Sequence, residues 1–230
     1  MSKSQTQEHE SIKPETGPKT RPETRPEAQS EPIACATTPS RSVALSKAEI
    51  NELPIRSYEG EVAIIQTEAD LKAALTDLQK EKVLGFDTET RPVFSREKTR
   101  QPALIQLAGK NLVYLIQLNH IRLSQSITTI LASENILKVG VAIKEDMNAL
   151  QALCDFVPAG TIDLAHLAAK KGIPARGLRS LTANLLGFRI SKSAQCSNWE
   201  KQNLSLRQIN YAATDAWVGR ELYHVMLNIQ

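Results

Sequence analysis

From Tyr58 onward, apolar residues recur in short runs and helical stripes, whereas before it they are sparse. "EVAIIQT" predicts a strand. Thr67 followed by Asp70 resembles a capping arrangement that opens a helix over "EADLKAALTDLQK". A second strand is expected in "KVLGFDTETRP", residues 82–92, whose Val83, Leu84 and Phe86 suit a buried position. "PALIQLA" and "NLVYLIQL" follow as two more strands, joined through "GKN" as a hairpin. A short helix near Leu123 to Ser133 leads to a fifth strand in "ILKVGVA", with the helix "KEDMNALQALC" directly behind it. The remainder reads as helix: "IDLAHLAAKKG", "LRSLTANLLG" and a long final helix from about Ser205 to Leu227. Strands first and helices interleaved later point to an α/β domain, a mixed five-stranded sheet flanked by helices, over residues 56–230.

Composition changes the picture only at the N-terminus. Residues 1–55 are dominated by Pro, Glu, Thr, Ser, Lys and Arg and carry no aromatic residue, and prolines recur at 14, 18, 22 and 26. Such a segment buries too little apolar surface to offset its ordering entropy, so a disordered Pro/Glu/Thr/Arg-rich tail is expected there. No apolar run approaches the length of a membrane span, and "MSKSQTQEHE" has no apolar stretch behind its basic residue. The three cysteines are scattered and odd in number, which excludes a zinc cluster and suits a reducing interior. A cytoplasmic location without membrane association is therefore expected. The net charge of +3 is too small to define a nucleic-acid partner, though clustering of the basic residues would permit one.

Candidate chemistry lies in three stretches. In the second strand Asp87 and Glu89 stand two apart, so both side chains point to one face at its carboxyl end. Functional crevices in open α/β sheets lie at such ends. Taken alone, the pair is equally compatible with Asp87 capping a turn and Glu89 facing water. Asp146 falls in the first turn of the helix after the fifth strand, where a carboxylate also suits the helix dipole, and Glu145 is its nearest competitor. In the final helix Tyr211 and Asp215 are four apart on one face, beside the small Ala212, Ala213 and Ala216. By itself that spacing also fits a partly buried tyrosine next to a solvated acid.

If these acids converge, electrostatics restricts what they do. Two like charges about 4 Å apart repel by about 4 kcal/mol at an effective dielectric of 20. Some carboxylates must then stay protonated, or cations must neutralise them. No Lys or Arg stands beside Asp87, Glu89 or Asp215 within these motifs, and hard divalent cations, Mg²⁺ or Mn²⁺, bind such oxygen sets together with phosphates.

"FDTET", "VGVAIKEDMNAL" and "YAATDA" resemble, in order and spacing, the three motifs of the 3′–5′ exonucleases with four acidic residues and a tyrosine (DEDDy type). That superfamily includes ribonuclease D, the proofreading domain of family A DNA polymerases and the Werner syndrome exonuclease domain. The resemblance runs from about Val62 to Leu227, and "QCSNWEKQNLSLRQINYAATDAWVGREL" is similar to the ribonuclease D and Werner ends of the family. It implies a ribonuclease H-like fold and two-metal hydrolysis at the 3′ end of a DNA or RNA strand, releasing nucleoside 5′-monophosphates. Asp87, Glu89 and Asp215 would hold the first cation, and Asp87 would share the second with Asp146. Tyr211 would orient the attacking water, Asn210 standing where the histidine branch carries its histidine. Arg176, Arg179, Arg189, Lys192 and Lys201 are candidates for the phosphate backbone, each equally readable as surface charge. Trp199 is expected to pack rather than stack on substrate, Leu104 to Gln106 to form the inner strand behind the site, and Asp163 to act as structural support. The helical domains that follow this region in ribonuclease D are not in this sequence. A catalytically silent nucleic-acid-binding or scaffold protein on the same fold is the alternative, and a small-molecule phosphohydrolase a lesser one.

Overall fold

Apolar residues alternate across one central strand, and the rest of the architecture follows from burying both of its faces. The computed structural model describes residues 43–90 and 101–229. In chain order its elements are α1 Lys47–Glu52, β1 Glu61–Ile65, α2 Glu68–Leu78, β2 Val83–Thr90, β3 Pro102–Ala108 and β4 Leu112–Gln117. They continue with α3 Gln125–Leu131, β5 Leu137–Gly140, α4 Ile143–Gln151, β6 Thr161–Asp163, α5 Leu164–Lys170, α6 Leu178–Leu186 and α7 Leu206–Leu227. The central strand is β3, buried along its whole length.

The strands form one sheet in the order β1-β4-β3-β2-β5-β6. β2, β3 and β4 pair antiparallel, while β1 joins β4, and β5 and β6 extend from β2, in parallel. Ile105 and Leu107 of β3 face the side covered by α2, α3 and α4, with Leu84, Phe86, Leu71, Ile127 and Met147. Leu104 and Ala108 face the other side with Leu115, against Ala212, Ala213 and Ala216 of α7. Each fully buried aliphatic side chain contributes about 1.5–3 kcal/mol, so the sheet is held from both sides. Behind β5, Val139 packs with Leu164, Leu181, Phe188, Val218 and Leu222, which seats α5 and α6 against α7.

The six strands correct the expected five. The stretch "IDLAHLAAKKG" begins as the short strand β6 before α5 starts, because Thr161–Asp163 pairs with the exposed edge of β5. The other expected elements lie where the pattern put them. Thr67 caps α2 by accepting from the Asp70 amide, the β3–β4 hairpin closes with Gly109 N donating to Leu112 O, and Ser205 caps α7 in a reciprocal box with Gln208.

A second correction concerns the tail. Residues 1–42 lie outside the described residues, but the end of the segment expected to be disordered is structured. Ser46 and Glu49 form a capping box that starts α1, and Ile50 is buried. The chain after α1 is tied down by Arg189 N donating to Pro54 O, Arg56 N to Arg189 O and Arg189 Nε to Leu53 O, while Leu45 N donates to Asn184 Oδ1.

One close approach positions the functional end of the sheet. A Cβ at Gly85 would lie 1.9 Å from the Ala216 carbonyl oxygen, so only glycine lets α7 settle on β2 here.

Candidate active site

β2 delivers its two acids by simple alternation. Leu84 and Phe86 fill the α2–α4 side, so Asp87 and Glu89 point to the α7 side. Asp87 stands opposite Gln106 and Glu89 opposite Leu104 on β3. Thr88, between them, faces the other way. Its hydroxyl donates to Asp146 Oδ1 at 2.5 Å, and its amide donates to Asp87 Oδ1 at 2.9 Å. One threonine therefore ties β2 to the first turn of α4.

Asp146 reaches this position through a tight exit from β5. Ala142 adopts a left-handed conformation, φ 58°, as the residue before α4, and turns the chain sharply from strand to helix. A left-handed alanine costs about 1–2 kcal/mol, which the packed Ile143 and Met147 outweigh.

α7 supplies the last two groups. Tyr211 and Asp215 lie one turn apart, close enough for the tyrosine hydroxyl to favour the charged form of the Asp215 carboxylate. The aromatic ring leans on Trp199 with centroids 6.0 Å apart. Trp199 is fully buried, so it packs, as expected.

The structure thus brings Asp87, Glu89, Asp146, Asp215 and Tyr211 together. Burial, then Asp215 and Asp146, push Asp87 well above the usual carboxylate range. Burial and then Asp87, Asp215 and Asp146 raise Glu89 to about 9. Burial raises Asp215 to about 7 against the opposing bond from Tyr211, and raises Asp146 to about 6 against the bond from Thr88. Burial, followed by the Asp215 charge, pushes the Tyr211 hydroxyl above its ordinary value, so it stays protonated. Among the described residues no lysine or arginine counters these acids.

That electrostatic state fits divalent cations. Asp215 Oδ1 is buried with no hydrogen-bond partner among the described residues, an oxygen in need of a positive partner. The acids are not closed into ready-made ligand geometry: no such group of three or more His, Cys, Asp or Glu occurs among the described residues.

Asp87, Glu89, Asp215 and Tyr211 open onto a cleft of about 710 Å³, and Asp146 stands behind its wall at Thr88. Of the basic candidates, Arg179 and Lys192 line it. Arg176 instead donates to the carbonyls of Ile173 and Ala175 in its own loop, and Arg189 to Leu53 O. Neither they nor Lys201 line the cleft. Asp163 caps α5 by accepting from the amides of Ala165 and His166, a supporting role as expected. The pattern did not disclose Thr88 as a partner of Asp146, nor Lys47 and Asn51 of α1, which also line the cleft. The signal for α1 was present as Ser46-x-x-Glu49, a capping box.

An acidic cleft at the carboxyl end of a mixed sheet, closed by a tyrosine-bearing helix, defines a class of hydrolase. A 3′–5′ exonuclease family model matches residues 62–229, and the chain belongs to that family. It is 34% identical over 184 residues to exonuclease 3′-5′ domain-containing protein 2 of Mus musculus, covering 73% of this chain and 28% of that protein. It is 30% identical over 168 residues to ribonuclease D of Gluconacetobacter diazotrophicus, covering 71% and 42%. This chain thus spans well under half the length of those relatives. Its structure superposes on Escherichia coli RNase D with a TM-score of 0.65 at 26% identity, over 73% of this chain and 45% of that one.

Proposed function

We propose that this chain is a metal-dependent 3′–5′ exonuclease that hydrolyses the terminal phosphodiester of a DNA or RNA strand and releases nucleoside 5′-monophosphates. The observation that carries this reading is the convergence of three carboxylates, Asp87, Glu89 and Asp215, and the protonated Tyr211 on a single cleft, with a fourth carboxylate, Asp146, held behind them by Thr88. A polyanion entering that cleft meets repulsion unless cations accompany it.

Asp87, Glu89 and Asp215 would hold one divalent cation, Mg²⁺ or Mn²⁺, and Asp87 with Asp146 a second. When bound, such a pair supplies an acidified water and neutralises charge on the attacked phosphate and the leaving 3′ oxygen. The protein's own groups do the positioning. Thr88 fixes the rotamer of Asp146. Tyr211 keeps its proton and turns it towards Asp215, which leaves its oxygen lone pairs free to accept from the attacking water and aim it in line with the 3′ oxygen. Its raised pKa makes it an orienting group and not the base. Arg179 and Lys192 complement the phosphates from the cleft wall.

Among the described residues no helix is long and apolar enough to cross a membrane, and Cys154 and Cys196 are free thiols. The free thiols suit a reducing, intracellular setting, where polynucleotides with free 3′ ends occur.

The test is a time course on 5′-labelled single-stranded DNA, recessed duplex, long RNA and very short RNA, with Mn²⁺ or Mg²⁺ and with EDTA. A metal-dependent ladder shortening from the 3′ end, absent in Asp87→Ala, is the expected result. The substrate that shortens fastest identifies ribose or deoxyribose preference. A folded protein that cleaves none of them, yet binds them, is a silent nucleic-acid-binding module.

A further inference from the structure

α1 and the strap behind it lie in a segment whose composition reads as tail, yet α1 lines the cleft. Lys47, Ile50 and Asn51 face the same cavity as Asp87, Glu89 and Asp215. Ile50 is buried and anchors the helix, while Lys47 and Asn51 remain exposed to the cavity. Asn51 Oδ1 accepts from Arg179 Nη2 at 2.7 Å, which fixes a guanidinium that also lines the cleft. The strap cannot easily swing away, because Leu45, Leu53, Pro54 and Arg56 are hydrogen-bonded to Asn184 and Arg189.

The charge pattern gives this arrangement a purpose. The acids of β2, α4 and α7 attract cations and repel phosphates lacking them. Among the described residues, the positive charges that line the cleft lie off that group, on Lys47 of α1, Arg179 of α6 and Lys192 of the segment before α7. A strand whose terminal phosphate lies at the acids has internucleotide phosphates that must run along the rest of the cleft. Guanidinium groups bind phosphate through a planar fork and gain most when pre-set, which is what Asn51 does for Arg179.

We infer that residues 45–56 form the backbone-gripping wall of the site, with Lys47 contacting an internucleotide phosphate and Asn51 positioning Arg179 to contact another. The inference rests on the exonuclease reading for the direction of the strand but has its own readout. Lys47 and Asn51 serve binding of the polynucleotide and take no part in the bond-breaking step.

The experiment compares Lys47→Ala, Asn51→Ala and Lys47→Arg in the full chain, on a short single-stranded oligonucleotide. The expected result is a KM raised roughly tenfold in the first two variants at low salt, with kcat changed less than about twofold. The slope of log KM against log salt should fall by about one phosphate contact in Lys47→Ala. Lys47→Arg keeps the charge and restores both. Unchanged KM and salt slope overturn the inference, as does a loss of kcat in proportion to KM. Fluorescence anisotropy of the same oligonucleotide on the Asp87→Asn background separates the two readings. If the wild type cleaves nothing while Lys47→Ala still weakens anisotropy-detected binding, the wall stands and the exonuclease reading falls. If the wild type cleaves and binding is indifferent to Lys47 and Asn51, the wall falls alone.

Discussion

Thr88 Oγ1 lies 2.5 Å from Asp146 Oδ1, so the residue between two acids of one strand holds a third acid on a neighbouring helix. Removing that donor leaves Asp146 free to rotate and takes away a bond that lowers its pKa. Thr88→Val should cut activity about 10- to 100-fold and shift the metal midpoint upward, the usual scale for a group that orients a ligand. Thr88→Ser should retain most of the rate. Metal titrations of activity for both variants check this, and a full rate in Thr88→Val with a loss in Thr88→Ser would show that the methyl, not the hydroxyl, matters.

Asp87 and Asp215 repel each other in a buried setting. Asp87→Ala and Asp215→Ala each delete a proposed ligand and a repulsion together. Activity should fall roughly a thousandfold or more. The metal-free melting temperature should hold or rise. Activity retained in either variant would sink the ligand assignment.

Tyr211→Phe keeps the ring that leans on Trp199 and removes only the hydroxyl. Turnover should drop roughly a hundredfold, with unfolding free energy changed by less than about 1.5 kcal/mol. Urea denaturation alongside kcat measures both. A stability loss as large as the rate loss would make the tyrosine a core residue.

The pH dependence of stability has a definite sign. Asp146 at about 6, Asp215 at about 7 and Glu89 at about 9 all exceed the ordinary carboxylate values of an unfolded chain, near about 4. An acid raised in the folded state holds its proton more tightly there, so the folded form binds more protons between those limits. Without metal, stability is therefore greatest at the acid end and declines as pH rises from about 4 to about 9. Mn²⁺ should restore more at pH 8 than at pH 5. Melting curves across that range, with EDTA and with Mn²⁺, give the answer; a flat metal-free profile would contradict the carboxylate cluster.

The position of α1 changes what truncation should do. Composition places residues 1–42 outside the catalytic unit, so their removal should leave melting and turnover on short substrates intact. Removal through Arg56 takes away Ile50 and the hydrogen bonds to Asn184 and Arg189, and should cost about 2–4 kcal/mol of stability. Thermal melts of the two truncations discriminate the boundaries.

The contrast between α1 and α7 shows what sequence pattern discloses. α7 is long and capped, and its i,i+4 spacing put Tyr211 and Asp215 on one face before any coordinates. The two-residue period of β2 did the same for Asp87 and Glu89. α1 has six residues and one buried side chain, too few for periodicity to rise above the polar composition around it. β6 has three, and its identity as strand comes from the open edge of β5, a tertiary cause. The basic residues were least legible. Whether a guanidinium faces the cleft, as Arg179 does, or its own loop, as Arg176 does, depends on local carbonyls that spacing does not encode.

The missing side chain at Gly85 acts as a gauge for the part of the proposed site shared by β2 and α7. Two of the four acids ride on β2 and another, with its tyrosine, on α7, so their separation is the thickness of whatever lies between strand and helix. At this point it is a hydrogen atom against the Ala216 carbonyl. A single methyl there would act as a shim, parting Asp215 from Asp87 without touching either. The tolerance of the site is thus set by an atom the chain leaves out.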